Sequence, residues 1–203
     1  MAKLTTITEL RKYYPEAKGR AVSKQMAHLE KHSRRFIELS PFLTLGTVGE
    51  DRLGDVSPKG DTPGFVHIQD DTTLLIPDRP GNNRLDSLTN LLSNPAIGLI
   101  FFIPGVQEVL RINGRGEVRD DPEMLNLFDP KDKPPRTVIV VHIQEVYLHC
   151  AKSILRSNLW DAETKVDRSV LPTMNQMVAD QIGHSGPVES QEDMLTRYAK
   201  RLY

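Results

Sequence analysis

The chain has 203 residues and a mass of 22.9 kDa, which fits one domain with terminal arms better than two independent catalytic domains. Its 38% hydrophobic and 26% charged residues exclude global disorder and a collagen-like structure. The net charge of −1 provides no general attraction for nucleic acid, so we expect no nucleic-acid partner and any anion site must be local.

Two features of the sequence bear on its location. The longest apolar stretch, residues 96–103, is far shorter than the roughly 20 residues that span a bilayer, and the N-terminal residues lack the apolar core of a signal peptide. The single cysteine, Cys150, cannot form an intrachain disulfide or a multi-thiolate metal site. The sequence therefore predicts a cytoplasmic protein with no membrane partner and no metal site.

The predicted elements divide the chain into an N-terminal helical arm over residues 1–40, a β-rich body over 41–160 and a C-terminal helical extension packed on that body over 161–203. In the arm, apolar residues at steps of three and four predict a helix over residues 22–39. The six or seven short strands expected in the body favour a barrel or a sandwich: residues 42–48, 54–57, 65–68, 73–76, 96–103, 109–118 and 137–148.

A short helix is expected to interrupt these strands, because leucines recur at helical spacing over residues 85–92. Asn82 or Asn83 suits its N-cap, since an asparagine side chain can accept from free backbone amides, and Asn94-Pro95 ends it. Two further helical pieces are expected at residues 175–177 and 194–203.

Most common catalytic signatures are missing from the sequence. Gly114 and Gly116 start a dinucleotide fingerprint, but Arg119 occupies the place of its third glycine. No phosphate loop of the Walker type and no Gly-x-Ser-x-Gly elbow occurs. The pairs His28 with His32 and His149 with Cys150 are interpreted as structural rather than as metal-binding or reactive groups.

The segment over residues 76–84 is the best candidate for a phosphate site. It joins a strand to the start of the short helix, where free amides and the helix dipole favour an anion, and it supplies Arg79 and Arg84. The alternative is a capped loop in which both arginines are solvated or paired with Asp78 and Asp86.

Two further segments carry cations. Ser57 and Lys59 would leave a strand close to the same anion, although residues 58–60 are also typical of a plain surface turn. Residues 152–160 place two cations before the only tryptophan, although a lone tryptophan is more often a core anchor than a cofactor contact.

Together these segments resemble the pyridoxamine 5′-phosphate oxidase-like, FMN-binding split-barrel superfamily over about residues 36–160. The resemblance rests on the order and spacing of residues 54–61, 63–66, 75–85, 94–95, 101–105, 110–114, 149–150 and 156–160. It implies a mainly β protein with flanking helices, in which a six-stranded antiparallel split barrel dimerises and holds two FMN molecules between the subunits.

The resemblance also carries FMN contacts onto matching positions of this chain. Asn83 and Arg84 match the phosphate-binding pair, and Lys59 matches a basic residue at the end of an early strand. Ile76 and Pro77 match the strand end whose backbone meets the flavin. Arg111 lies in the strand that passes the ring. Arg156 and Trp160 would come from the partner subunit. Three neighbours complete the predicted set: Ser57, Arg79 and Asn82.

Two departures from the family argue against vitamin B6 phosphate as the substrate. True pyridoxamine phosphate oxidases carry an Arg-Gln pair where this chain has Glu108-Val109, and they end in an Arg-x-His segment that residues 197–203 do not reproduce. We therefore expect an FMN-dependent oxidoreductase for an unidentified small organic substrate, with NADH or NADPH as a candidate electron partner and no catalytic side chain identified. The alternatives are a non-catalytic flavin-binding or sensor module, and the same barrel with haem or a deazaflavin.

Overall fold

The computed structural model describes residues 3–128 and 134–200 of the chain. Within these residues, seven strands form one antiparallel sheet in the order β2-β1-β5-β6-β7-β4-β3. The strands are β1 (Phe42–Val48), β2 (Gly54–Gly60), β3 (His67–Ile68), β4 (Thr73–Asp78), β5 (Ala96–Phe102), β6 (Val109–Arg119) and β7 (Thr137–His149). The helices are α1 (Ile7–Arg11), α2 (Arg20–Ser23), α3 (Lys31–Leu39), α4 (Asp86–Ser93), α5 (Pro122–Leu125), α6 (Lys152–Ser157), α7 (Met174–Ile182) and α8 (Gln191–Ala199).

The predicted class, mainly β with an antiparallel sheet and flanking helices, is confirmed. The sheet has seven strands, within the six or seven expected from the sequence but one more than the six-stranded barrel that the resemblance implies. The shortest strand is β3, which lies in the predicted segment 65–68 and whose two residues pair with Leu74 and Leu75 of β4. Val66 is buried and Phe65 packs against the core, and their burial draws this short segment along the edge of β4.

Strict alternation of side chains places the core on one side of the long hairpins. Leu43 and Leu45 of β1 are buried, as are Leu99 and Phe101 of β5, while the residues between them face outward and stay partly exposed. This pattern leaves an outward face on β1 and β5 that the described chain covers only in part.

A bulge between β6 and β7 changes which side chains point inward. The register shifts between Asn113 and Gly114, so that both Ile143 and Val146 are buried although they are three residues apart. A Cβ at Gly114 would lie 2.2 Å from the carbonyl oxygen of His142, and only glycine fits there. The bulge thereby turns Tyr147 to the outward face.

The helix predicted over residues 22–39 is wrong in its first half. The structure ends α2 at Ser23, and Met26 then pairs with Val146 of β7 as an isolated bridge. The next helix, α3, begins only at Lys31, because the Glu30 carboxylate accepts from the amide of Ser33 and the Ser33 hydroxyl accepts from the amide of Glu30.

Helices are present where they were expected near the C-terminus. The helix α7 extends beyond the predicted piece on both sides, and α8 begins three residues before the predicted piece and ends at Ala199. Residues 201–203, the end of the predicted last piece, lie outside the described residues. The chain enters this region through Trp160, whose Nε1 donates to the carbonyl oxygen of Val106 at 2.8 Å. Packing of the extension on the barrel stays a prediction.

The described part of the chain contains no helix with the length and apolar character needed to cross a membrane. Among the same residues, no group of three or more His, Cys, Asp and Glu side chains is arranged to hold a metal ion.

Candidate cofactor site

A cavity of about 660 Å³ lies between β2, the end of β4 and the start of α4. Its volume is in the range typical of sites for small ligands and cofactors. Antiparallel pairing places β2 beside β1, and α4 packs against both β1 and β2, so that the sheet edge and the helix start face the same space. Seven of the predicted site residues line this cavity: Ser57, Lys59, Pro77, Arg79, Asn82, Asn83 and Arg84.

Two of the cations in the cavity are held in largely buried ion pairs. The Lys59 ammonium lies 2.5 Å from a carboxylate oxygen of Asp78, and Arg79 Nε lies 3.2 Å from Asp61. The alternative considered from the sequence therefore holds only in part, since Arg79 is paired, but with Asp61 rather than Asp78. These pairs fix Lys59 near the end of β2 and Arg79 directly after the end of β4.

The third cation, Arg84, is more exposed and pairs with Asp86 at 2.8 Å, as the capped-loop alternative expected. The hydrogen bond to Asp86 and the charge of that carboxylate raise the pKa of Arg84. Its guanidinium nevertheless lines the cavity, and a surface pair of this kind is weak enough to exchange partners.

A fourth cation, Arg136, was missed by the sequence analysis. Antiparallel pairing of β4 with β7 brings Asp78 opposite Thr137, and the amide of Arg136 donates to the carbonyl oxygen of Asp78 at 3.0 Å. Arg136 thus reaches the cavity from a segment 52 residues after Arg84. The sequence does show a basic residue directly before the strand that begins at residue 137. Its place in the cavity could be predicted only by knowing that this strand pairs with residues 73–78.

The start of α4 differs from the prediction that Asn82 or Asn83 would cap it. The N-cap is Leu85, and among the described residues no side chain caps the helix. The side-chain oxygen of Asn82 instead accepts from the amide of Arg84, two residues on. The first-turn amides of α4 are therefore available to an anion in the cavity, which Asp86 and Ser87 also line.

The turn that leads into α4 is strained. Asn83 and Leu85 have φ angles of 59° and 60°, in the left-handed region that asparagine tolerates and leucine avoids. Strain of this kind concentrates where a loop must hold a set geometry.

We expect Leu85→Asn to raise the free energy of unfolding by about 1 kcal/mol, because asparagine adopts the left-handed conformation more readily. Leu92→Asn is the matched control, since Leu92 is an exposed leucine inside α4 with helical geometry. This variant should be slightly less stable than the parent, because asparagine has a lower helix propensity than leucine. Urea denaturation of both variants and the parent measures the difference. An equal loss in both would show that the φ of Leu85 carries no strain.

The remaining four predicted residues do not line this cavity. Ile76 is fully buried in the core, and Arg156 is exposed on α6. Trp160 is tied to Val106, and Arg111 lies on β6 with its guanidinium 5.4 Å from the centre of the Tyr147 ring.

Arg111 belongs to a second group of basic side chains on the outward face. The Lys24 ammonium lies over the same Tyr147 ring at 5.4 Å. Burial, followed by the charges of Arg111 and Lys24, lowers the pKa of His149. The lowered pKa disfavours protonation of this histidine beside the two cations.

The comparison with known families identifies the chain. The sequence profile of the pyridoxamine 5′-phosphate oxidase family matches residues 29–150, more than half of the sequence. The chain belongs to this family. As a member of the pyridoxamine 5′-phosphate oxidase family, it has the split-barrel architecture implied by the sequence resemblance, with one strand more than the six that the resemblance implied.

Two solved structures with a TM-score of 0.50 share the fold of this family member. HupZ of Group A Streptococcus is 14% identical with a TM-score of 0.50, covering 59% of this chain and 93% of that chain. A single-residue variant of HupZ has the same identity and TM-score and covers 61% and 100%. An FMN-binding protein from Syntrophomonas wolfei is 12% identical, covers 58% and 88%, and has a TM-score of 0.42. No curated protein sequence matches the chain.

Proposed function

We propose that this protein binds FMN in the cavity between β2, β4 and α4 and uses it to oxidise or reduce a small organic substrate. The observation that carries the proposal is the convergence of four cations and an uncapped helix start on one cavity of cofactor size: Lys59, Arg79, Arg84 and Arg136 with the first turn of α4. Membership in the pyridoxamine 5′-phosphate oxidase family supports a flavin as the ligand.

The FMN phosphate is a dianion and needs amides and cations in one place. Arg84 and the first amides of α4 lie next to each other in the chain, and Lys59 reaches the same cavity from β2. Four aspartates also line the cavity and balance its four cations: Asp55, Asp61, Asp78 and Asp86. A phosphate that binds the Arg84 guanidinium competes with Asp86, and this exposed ion pair opens at low cost.

The cavity also offers apolar surface for the ring system, from Val56, Phe65 and Leu88 among others. FMN, when bound, supplies the hydride or electron transfer itself. Among the described residues that line the cavity there is no histidine, cysteine or tyrosine, and two of its carboxylates are held in buried ion pairs. The chain's own part is therefore to bind and orient the cofactor rather than to move a proton.

The proposal includes a homodimer with FMN between the subunits. The outward face of β1 and β5 carries partly exposed apolar groups, including Phe42 and Phe102 with ring centres 6.1 Å apart. Apolar surface of this kind on a sheet is typical of a protein interface. Arg156 and Trp160, which do not line the cavity of their own chain, would then approach the cofactor of the partner, and Arg111 would lie on the strand that passes the ring. We place the protein in the cytoplasm, in keeping with its single free cysteine.

The test is the purified protein itself. We expect a flavin absorption spectrum after purification or after addition of FMN and desalting, a micromolar or lower dissociation constant for FMN, and a dimer by light scattering. Absence of flavin bands together with no detectable FMN binding would overturn the proposal.

Within this test, Arg84→Ala should weaken FMN binding by about 1–3 kcal/mol, through loss of a charge-assisted contact. Arg119→Ala is a closely matched control. Arg119 pairs with Asp121 two residues later at 2.7 Å, as Arg84 pairs with Asp86 at 2.8 Å, but it does not line the cavity. Isothermal titration of both variants measures the contrast. Equal affinities would show that the phosphate binds elsewhere.

Stopped-flow mixing with NADH or NADPH, followed by reoxidation, distinguishes the enzyme from a non-catalytic flavin-binding module. In the enzyme, the bound flavin is expected to be reduced faster than free FMN, with either nicotinamide or a second reductant as the electron donor. Mass spectrometry of the bound cofactor separates FMN from haem and from a deazaflavin, and a haem-loaded protein would contradict the assignment of the cavity to a phosphate.

A further inference from the structure

Residues 3–23 are the first part of the N-terminal arm and are called the arm from here on. They have defined structure without burial. A capping box joins Thr6 and Glu9 at the start of α1, and the Arg11 guanidinium donates to the carbonyl oxygen of Pro15 at 2.9 Å. Yet every residue of the arm except Glu9 is exposed in the described chain. A helix of five residues is not stable in water by itself, so the arm requires a surface to cover it.

The arm also exposes large apolar side chains. Ile7 is 75% exposed and Tyr13 is 70% exposed, and Leu4, Leu10 and Tyr14 are exposed as well. Aromatic and aliphatic groups of this kind are those that anchor protein interfaces.

The C-terminal extension, residues 161–200, presents a complementary surface. Met174, Val178 and Ile182 follow each other at steps of four on α7 and are all exposed, and α8 exposes Leu195 and Tyr198. The two helices are tied together, because the Glu189 carboxylate accepts from both Arg197 and Asn175. The extension therefore has a stable arrangement with an uncovered apolar face.

Opposite charges accompany these two apolar surfaces. The arm has five basic and two acidic residues, a net charge of +3, and the extension has four basic and seven acidic residues, a net charge of −3. Complementary charge favours the encounter of two surfaces and fixes their register.

Both segments start from the same end of the barrel. Lys24, directly after the arm, donates to the carbonyl oxygen of Leu148 at 2.7 Å, and Met26 pairs with Val146. The extension follows the end of the same strand through α6. The exposure of the arm shows that the extension of its own chain does not cover it.

We propose that the arm of one copy of this chain docks on the extension of a second copy, and that the second arm docks reciprocally on the first. A two-fold exchange of this kind buries both apolar faces and pairs the opposite charges in one symmetric assembly. The inference depends on the proposed dimer but not on the cofactor.

The test uses the full chain with p-benzoylphenylalanine in place of Tyr13. Mixed ¹⁴N- and ¹⁵N-labelled protein is equilibrated, irradiated and digested. We expect crosslinked peptides that join the arm to residues 161–200 and that combine both isotopes, because the two segments come from different copies. Crosslinks that combine only one isotope, or that lead to the sheet, would overturn the docking. A monomeric mass before irradiation would overturn the dimer as well, whereas a dimer without these crosslinks would overturn the docking alone.

A second measurement tests how much the docked arm contributes to the stability of the dimer. Ile7→Ser combined with Tyr13→Ser should raise the dimer dissociation constant at least about tenfold in sedimentation equilibrium. Leu53→Ser is the matched control, because Leu53 is 70% exposed on the β1–β2 hairpin, outside both segments, and should change it less than about twofold. Equal effects would contradict the docking, and so would binding of the arm to anionic vesicles that depends on Ile7 and Tyr13 while dimerisation does not.

Discussion

Gly114→Ala should lower the free energy of unfolding by about 3 kcal/mol, the largest stability loss that we expect from any single methyl group in this chain. The added Cβ would lie 2.2 Å from the carbonyl oxygen of His142 and 3.1 Å from its carbon. Both atoms belong to the backbone, so no side-chain rotation can relieve the contact. β6 and β7 would have to separate at the bulge that sets their register.

For a chain of this size, the loss corresponds to roughly 6–12 °C in melting temperature. Gly54→Ala is the control, since nothing lies within 4 Å of a Cβ at Gly54 and that residue begins β2. It should be neutral or slightly stabilising, because alanine restricts the unfolded chain. If Gly114→Ala melted with the control, the strands would be free to adjust and the bulge would not fix the register.

The same bulge illustrates what the sequence could not predict. Short apolar and β-branched runs bounded by turn residues were enough to place the long strands. The register shift between Asn113 and Gly114 falls opposite residues 143–145 of β7, and it is defined by the pairing of the two strands rather than by the pattern of either one. Which side chains of β7 face outward therefore depended on a contact between strands far apart in the chain.

The error in the first helix has a related cause. Val22, Met26 and Leu29 keep helical spacing. Met26, however, pairs as an isolated bridge with Val146, in the part of β7 that β4 does not cover, and Glu30 caps a new helix. Local periodicity cannot show that a backbone group will be claimed by a distant strand. The short strand β3 falls inside the predicted segment 65–68, but its length of two residues is set by its pairing with β4 rather than by its own sequence.

The candidate site was predictable to the extent that its residues are close in sequence. Lys59, Arg79 and Arg84 lie in the two segments that the sequence analysis singled out, and both segments line one cavity. Arg136 and the partner of Arg79, Asp61, depended on tertiary contacts. The balance between cations and carboxylates in the cavity follows from those contacts, and it governs how a phosphate could bind.

The pair of Lys59 and Asp78 gives the sharpest test of that balance. The two side chains are 21% and 15% exposed and lie 2.5 Å apart. Removing one partner of a fully buried pair costs about 3–5 kcal/mol, and because some water reaches this pair we expect Lys59→Met and Asp78→Asn each to lower the free energy of unfolding by about 2 kcal/mol. On stability alone the two variants should look alike.

On cofactor binding they should differ in sign. The ratio of the affinities for FMN and riboflavin isolates the phosphate, because the two ligands otherwise share the ring and the ribityl chain. Lys59→Met removes a cation and should lower this ratio about 10–100-fold, whereas Asp78→Asn releases Lys59 from its carboxylate and should raise the ratio by up to about tenfold. Arg34→Met, which breaks the pair with Asp71 away from the cavity, should leave the ratio unchanged. Parallel changes in the Lys59 and Asp78 variants would mean that the ratio follows stability alone, and the phosphate would then have to lie beyond the reach of Lys59.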